Sequence, residues 1–186
     1  MSRRGFRPVA PGAPAAHETE AMIRVDHAGE YGAVRIYEGQ LAVLEGRKGA
    51  EESVKTIRRM AEQEQEHLKS FDRLVNERCV RPTALEPVWR VAGFALGAAT
   101  ALMGERAAMA CTAAVEEVIE EHYARQIARL DGDAELKKSI KRFRADEIAH
   151  RDEALAGGAE DAPGYKLLSE SIKAGCRLAI RLSEKI

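Results

Sequence analysis

Four glutamates in this chain fall where a helix should bury leucine, and that placement limits its possible folds more than any other feature. A helix packed on a core repeats its buried positions at i, i+3, i+4 and i+7. One such row runs through Ile23, His27, Glu30, Val34, Tyr37, Leu41 and Leu44, and a second through Ile57, Met60, Glu64, His67, Phe71 and Leu74. A third runs through Met109, Thr112, Glu116, Ile119, Tyr123, Ile127 and Leu130, and a fourth through Leu136, Ile140, Phe143, Glu147, His150 and Ala154. Each row carries one core-facing glutamate. Two rows add a histidine one turn later, as Glu64 with His67 and Glu147 with His150.

An unpaired buried carboxylate costs several kcal/mol, roughly, even after relaxation. A whole domain is stable by only about 5–15 kcal/mol. The four rows supply no Lys or Arg to compensate; metal ions do. Four carboxylates and two neutral imidazoles balance two divalent cations, and this oxygen and nitrogen donor set suits iron or manganese. Spacing of i, i+3 sets Glu and His on one helix face, so one helix can hold one ion through His and bridge both through Glu. A single Glu-x-x-His is common in helices. Two of them, in register with core rows and joined by two more in-row glutamates, match the ligand pattern of ferritin-like bundles. The expected fold is an all-α, ferritin-like four-helix bundle with additional helices and a di-metal site in its core. The expected ligands are Glu30, Glu64, His67, Glu116, Glu147 and His150, with iron the expected metal.

The rest of the chain agrees. Its 186 residues suffice for one domain with a core, and 45% hydrophobic against 32% charged residues is a globular balance. A net charge of -1 offers no footprint for nucleic acid. Cys79, Cys111 and Cys176 are scattered and form no CxxC pair, which points to reduced thiols and excludes iron–sulfur centres. Breaks at Gly46–Gly49, Arg81-Pro82, Asp131-Gly132-Asp133 and Gly157–Gly164 leave helical stretches near 19–45, 50–78, 87–130 (broken near Gly104), 134–156 and 164–184. Residues 1–18 are expected to be a disordered basic tail and 19–186 the metal-binding domain. A helix with one Glu followed by a helix with Glu-x-x-His occurs twice, a weak two-fold echo. The uncharged stretch Val91–Gly104 is too short to span a bilayer. It reads either as a buried core helix or as a surface that dips into a membrane or receives an apolar ligand.

Several neighbours are candidates for supporting roles. Glu120, one turn after Glu116, is an alternative ligand. Asp26 and Asp146 adjoin site residues and read either as hydrogen-bond partners of the ligand imidazoles or as surface residues. His27 reads as a core or supporting histidine, and His122 as flanking. Tyr123 is central in its row. Cys111 and Met109 read as core, and Glu62, Glu66, Glu117 and Glu121 as solvated.

The stretch Ile23–Ala33 (IRVDHAGEYGA) resembles the signature of the demethoxyubiquinone hydroxylase family, as do Arg35-Ile36-Tyr37, Glu64–Lys69 and Gly93–Ala98. Ala108–Thr112, Val115-Glu116-Glu117, His122-Tyr123 and Ala174–Arg177 are similar too, so the resemblance covers about residues 20–186. It implies a di-iron monooxygenase that hydroxylates the ring of a demethoxy-polyprenylbenzoquinone with O2 and NADH-derived electrons, the penultimate step of ubiquinone biosynthesis. The family's metal ligands fall on the six residues given by the rows. His122 and Tyr123 are implied to relay electrons or protons. The resemblance further implies two iron ions, a membrane surface and ubiquinone-biosynthesis proteins as partners. It places the chain peripherally on an inner membrane: the cytoplasmic face in a bacterium, or the matrix face of a mitochondrion. No Gly-x-Gly-x-x-Gly fingerprint is present, so NADH must bind differently or act through the quinone or a partner. Competing readings are a ferroxidase or iron-storage bundle, a di-iron oxygenase with another substrate, and a helical scaffold without enzymatic activity.

Overall fold

The computed structural model describes residues 16–186, and the described residues are helical throughout, without a strand. The expected disordered tail lies outside the described residues up to residue 15. Residues 16–18 are instead the first turn of helix α1, Ala16–Leu44. Helix α2 spans Glu51–Arg78, α3 Glu86–Met103, α4 Glu105–Ile127, α5 Ala134–Ala156 and α6 Tyr165–Ser183, with a short 3-10 turn over Ala159–Asp161.

The boundaries have local causes. Gly104 separates α3 from α4 at φ 124°, a backbone conformation that side chains rarely permit. The Asp133 carboxylate caps α5 by accepting from the Leu136 N–H at 3.1 Å, and it also pairs with Arg78 at the end of α2. Cys79 ends α2 in the left-handed region, followed by Pro82.

Helices α1, α2, α4 and α5 form the four-helix bundle, as two hairpins that face each other. Helix α3 lies back along α1, and α6 lies back along α4. The α1–α3 contact is backbone to backbone. A Cβ on Gly97 would stand 1.9 Å from the Ile36 carbonyl oxygen, and one on Gly39 would stand 2.2 Å from that of Phe94. Only glycine permits this approach, which explains Gly93 and Gly97 of the uncharged stretch.

Two apolar clusters plug the bundle at its two ends. One gathers Leu44, Ile57, Met60 and Met109, and the other Ile23, Phe71, Leu136, Ile140 and Phe143. The glutamates lie between them. The uncharged stretch departs from the core-helix reading: Gly93, Gly97, Thr100 and Ala101 face inward, while Val91, Leu102 and Met103 are exposed at 68%, 69% and 56%. Glu117 and Glu121 stay partly exposed, in keeping with the solvated reading, and they also pair with α6. Glu117 accepts from Lys173 at 2.7 Å and Glu121 from Arg177 at 3.4 Å, which ties α4 to α6.

Candidate metal centre

All six expected ligand side chains are buried and converge at mid-bundle. They form two overlapping groups, Glu30, Glu64, His67 and Glu147, and Glu64, Glu116, Glu147 and His150, each with one ligand atom per residue within 4.8 Å of the others. Glu64 and Glu147 belong to both. Glu64 turns Oε1 to His150 Nδ1 at 3.1 Å and Oε2 to His67 Nδ1 at 3.7 Å. Glu147 turns Oε1 to His67 Nδ1 at 3.3 Å and Oε2 to His150 Nδ1 at 3.5 Å. Each shared carboxylate therefore presents one oxygen to each half of the site, as a bridging carboxylate must.

The donor atoms fit a metal pair on a test independent of ligand type. Among the described residues, twelve buried side-chain nitrogen and oxygen atoms lack a hydrogen-bond partner. Eight of the twelve belong to these six residues: Glu30 Oε2, both oxygens of Glu64 and of Glu147, Glu116 Oε2, and Nδ1 of His67 and His150. A native interior leaves few such groups, and they rarely cluster.

Electrostatics say the same. Burial, reinforced by the nearby Glu64 charge, pushes the Glu30 carboxyl well above its ordinary range. Burial and the Glu147 charge do the same to Glu116. Burial also opposes the Glu64 anion, but the imidazoles of His150 and His67 outweigh it and hold that carboxyl down at about 2. Burial opposes positive imidazoles too, yet the surrounding carboxylates raise His67 well above its ordinary range and His150 to about 9. Carboxylates and imidazoles alike are arranged so that the centre favours positive charge.

The atoms that face away from the centre are anchored. His67 Nε2 donates to Asp146 Oδ2 at 3.1 Å, which leaves its Nδ1 lone pair pointing inward. His150 Nε2 donates to Gln63 Oε1, also at 3.1 Å. Tyr37 donates to Glu116 Oε1 at 2.5 Å, and Tyr123 donates to Glu30 Oε1. Burial foremost, then the neighbouring carboxylates, pushes both phenols well above their ordinary range, so both remain donors.

The structure sorts the remaining candidates. Asp146, partly exposed, takes the first of its two readings and bonds the His67 imidazole. Asp26 does not; it accepts from His122 at 3.2 Å and from Gln126 at 2.7 Å. Glu120 is not at the centre, because Arg144 holds its Oε1 at 2.5–2.8 Å on the outer side of α4. His27 is buried and bonds Asp72 at 3.0 Å rather than the centre. His122 is buried and also lines a surface recess with Arg125, Arg129 and His17, and its ring centroid lies 6.3 Å from that of Tyr123. Cys111 and Met109 are core. Gln63 and Tyr37 escaped the sequence reading. Tyr37 sits in a core row, where packing explains a tyrosine, and Gln63 carries no signal except its place beside Glu64.

An apolar groove of about 540 Å³ runs beside the centre between α1, α3, α4 and α6. Gly29 and Val115, the neighbours of Glu30 and Glu116, line it together with Ala33, Ile36, Leu96 and Ile172. It is large enough for a substituted ring and the start of an apolar chain.

The model of the family described as Ubiquinone biosynthesis protein COQ7 matches residues 17–183. The 3-demethoxyubiquinol 3-hydroxylase of Rhodospirillum rubrum is 54% identical over 178 residues, covering 95% of this chain and 82% of that protein. The human mitochondrial NADPH-dependent 3-demethoxyubiquinone 3-hydroxylase is 51% identical over 172 residues, covering 90% and 77%. The mitochondrial 5-demethoxyubiquinone hydroxylase of Saccharomyces cerevisiae is 39% identical over 183 residues, covering 90% and 78%.

Proposed function

Because the chain belongs to the family of ubiquinone biosynthesis protein COQ7, we propose that it is a di-iron monooxygenase hydroxylating the ring of a demethoxy-polyprenylbenzoquinone. The observation that carries this reading is the set of inward, unpartnered donor atoms beside an apolar groove. Glu30 and His67 would hold one iron, Glu116 and His150 the other, and Glu64 and Glu147 both. An iron pair held there supplies reductive activation of O2, so that one oxygen atom enters a ring C–H bond and the other leaves as water.

The chain's own residues do the rest. Tyr37 and Tyr123 each donate to one oxygen of a terminal carboxylate, which fixes its orientation and leaves the second oxygen for metal. Asp146 and Gln63 fix the imidazole tautomers. The groove holds the quinone ring and its apolar tail away from water. His122 and Tyr123 form the proposed relay: His122 borders the surface recess, and Tyr123 holds a proton at Glu30 Oε1. The electrons come from a reduced nicotinamide nucleotide. The resemblance implied NADH, whereas the human relative is named NADPH-dependent.

The exposed apolar side chains support a peripheral membrane site. Val88, Val91, Leu102 and Met103 of α3 and Leu167 and Leu178 of α6 are exposed at 52–77% on the two helices that flank the groove. Among the described residues no helix is long and apolar enough to cross a membrane. These side chains would enter the lipid surface of an inner membrane and open the groove toward an isoprenoid quinone. An iron-storage bundle needs neither groove nor apolar face. Purified protein reconstituted with ferrous iron should bind two ions per chain and add one oxygen from 18O2 to a demethoxyquinone on vesicles. NADH and NADPH supplied in parallel identify the donor. Two bound ions with no labelled product would sink the hydroxylase reading.

A further inference from the structure

The two halves of the centre repeat each other along the chain. Glu30, Tyr37 and Gln40 of α1 recur at the same spacings as Glu116, Tyr123 and Gln126 of α4, and each tyrosine donates to the glutamate of the other helix. In α2 and α5 the repeat pairs Met60, Gln63, Glu64 and His67 with Phe143, Asp146, Glu147 and His150. Ligands and tyrosines obey the repeat. The groups behind them break it, and two of the breaks place a carboxylate on the same side.

Behind His67 stands the Asp146 carboxylate, and behind His150 the Gln63 amide, both at 3.1 Å. Distance is equal, but the charge of the acceptor differs. The Gln63 amide orientation follows from Arg59, whose guanidinium donates to the same Oε1 at 2.8 Å and draws electron density away from it. Asp146 bonds no cation other than His67 among the described residues. The second break repeats the direction. Asp26, which accepts from His122 and from Gln126 on the Tyr123 helix, is replaced in the other half by Thr112, which accepts from Gln40 at 3.3 Å. The position matching His122 is Ile36.

A carboxylate behind a ligating imidazole raises the basicity of its metal-facing nitrogen, and losing such a partner costs about 10–100-fold in metal affinity. We infer that the two metal positions are unequal by construction, with Asp146 as the positioning residue that makes the Glu30–His67 position the tighter and more electron-rich of the two. The inference rests on the di-metal reading above. Its physical content is that the first divalent ion enters beside His67, and the second, held through a neutral amide, enters beside His150 and leaves first.

Anaerobic titration of the whole chain with Co(II), and with one and two equivalents of 57Fe(II) followed by Mössbauer spectroscopy, tests this. The parent chain should bind in two steps about 10–100-fold apart, with one equivalent of iron giving a single quadrupole doublet. Asp146→Asn should weaken the tight step and give two doublets at one equivalent, and Asp146→Glu should restore the parent pattern. Gln63→Glu should strengthen the weak step, since Arg59 accommodates the added charge. Combining Asp146→Asn with Gln63→Glu should reverse which doublet fills first, a readout that a merely destabilised fold cannot produce. A two-step gap that Asp146→Asn leaves unchanged would come from repulsion between the ions and would overturn the inference. Two ions bound in equal steps would overturn it as well, while leaving the di-metal reading intact. Failure of the parent chain to bind a pair of ions at all would overturn that underlying reading instead.

Discussion

The bundle centre and the outer face of α3 both invert the usual partition of side chains, in opposite directions. At the centre, four glutamates are buried at 0–1% exposure, with no lysine or arginine among the core-facing rows. On α3, Val91 and Leu102 are exposed at 68% and 69% along an uncharged stretch. A soluble domain gains nothing from either inversion. Under the proposed function each is completed from outside, by cations in the first case and by an apolar phase in the second. The two also differ in tolerance. The centre is held by hydrogen bonds to every terminal carboxylate and imidazole, so loss of one residue propagates. The outer face of α3 is exposed for most of its area among the described residues, so Val91 and Leu102 can change with little effect on the fold.

The largest effect that separates these regions is loss of a shared carboxylate. Glu147→Ala removes one oxygen from each half of the centre, so bound iron should fall from two ions per chain to near none, with hydroxylation abolished. Plasma emission analysis of the purified variant reads this directly. Two ions retained would show that Glu147 does not bridge. Next in size is Gly97→Val, which separates the two faces of α3. Its Cβ would collide with the Ile36 carbonyl at 1.9 Å, and overpacking of this kind costs about 1–3 kcal/mol or more. Urea unfolding should show that loss, and an unchanged midpoint would mean that α3 is not docked on α1.

On the outward face the expectation reverses. Val91→Glu with Leu102→Glu should leave the unfolding midpoint within about 0.5 kcal/mol, as exposed substitutions usually do. Co-sedimentation with anionic vesicles should fall by roughly tenfold or more, because burying each such side chain in lipid is worth about 1.5–3 kcal/mol. A variant that keeps its vesicle binding would remove the membrane from the comparison.

The centre could be read in the sequence because its anomaly is periodic. Glutamate at four core positions, with His at i+3 twice, needs no tertiary information to be recognised. Most of its supports could not be read. Gln63 and Tyr37 matter through partners on other helices, and no spacing within one helix reveals a partner on another; Asp146 is eligible only because it adjoins Glu147. Glu120 shows the same limit, since one turn from Glu116 it is an eligible ligand until the rotation of α4 turns it to Arg144. The outer face of α3 stayed ambiguous because a stretch without charge looks alike whether protein or lipid covers it. Its glycines did signal close approach, and Gly93 and Gly97 meet α1.

The smallest effect is one of pH, and it bears on the centre alone. The His150 imidazole is raised to about 9, after its carboxylate neighbours overcome the opposing effect of burial. Because the folded value lies above the ordinary one of about 6.5, the proton on His150 stabilises the metal-free fold. That contribution is fully present below about pH 6.5 and is lost as pH rises through about 9. Metal binding has the opposite sign, because a ligating imidazole must shed this proton, so affinity should climb over the same interval. Thermal midpoints of the metal-free chain should therefore fall from pH 6.5 toward 9, while Co(II) affinity rises. Changes at α3 such as Leu102→Glu should leave both slopes untouched. Parallel slopes of the same sign would mean that His150 does not exchange its proton for a metal.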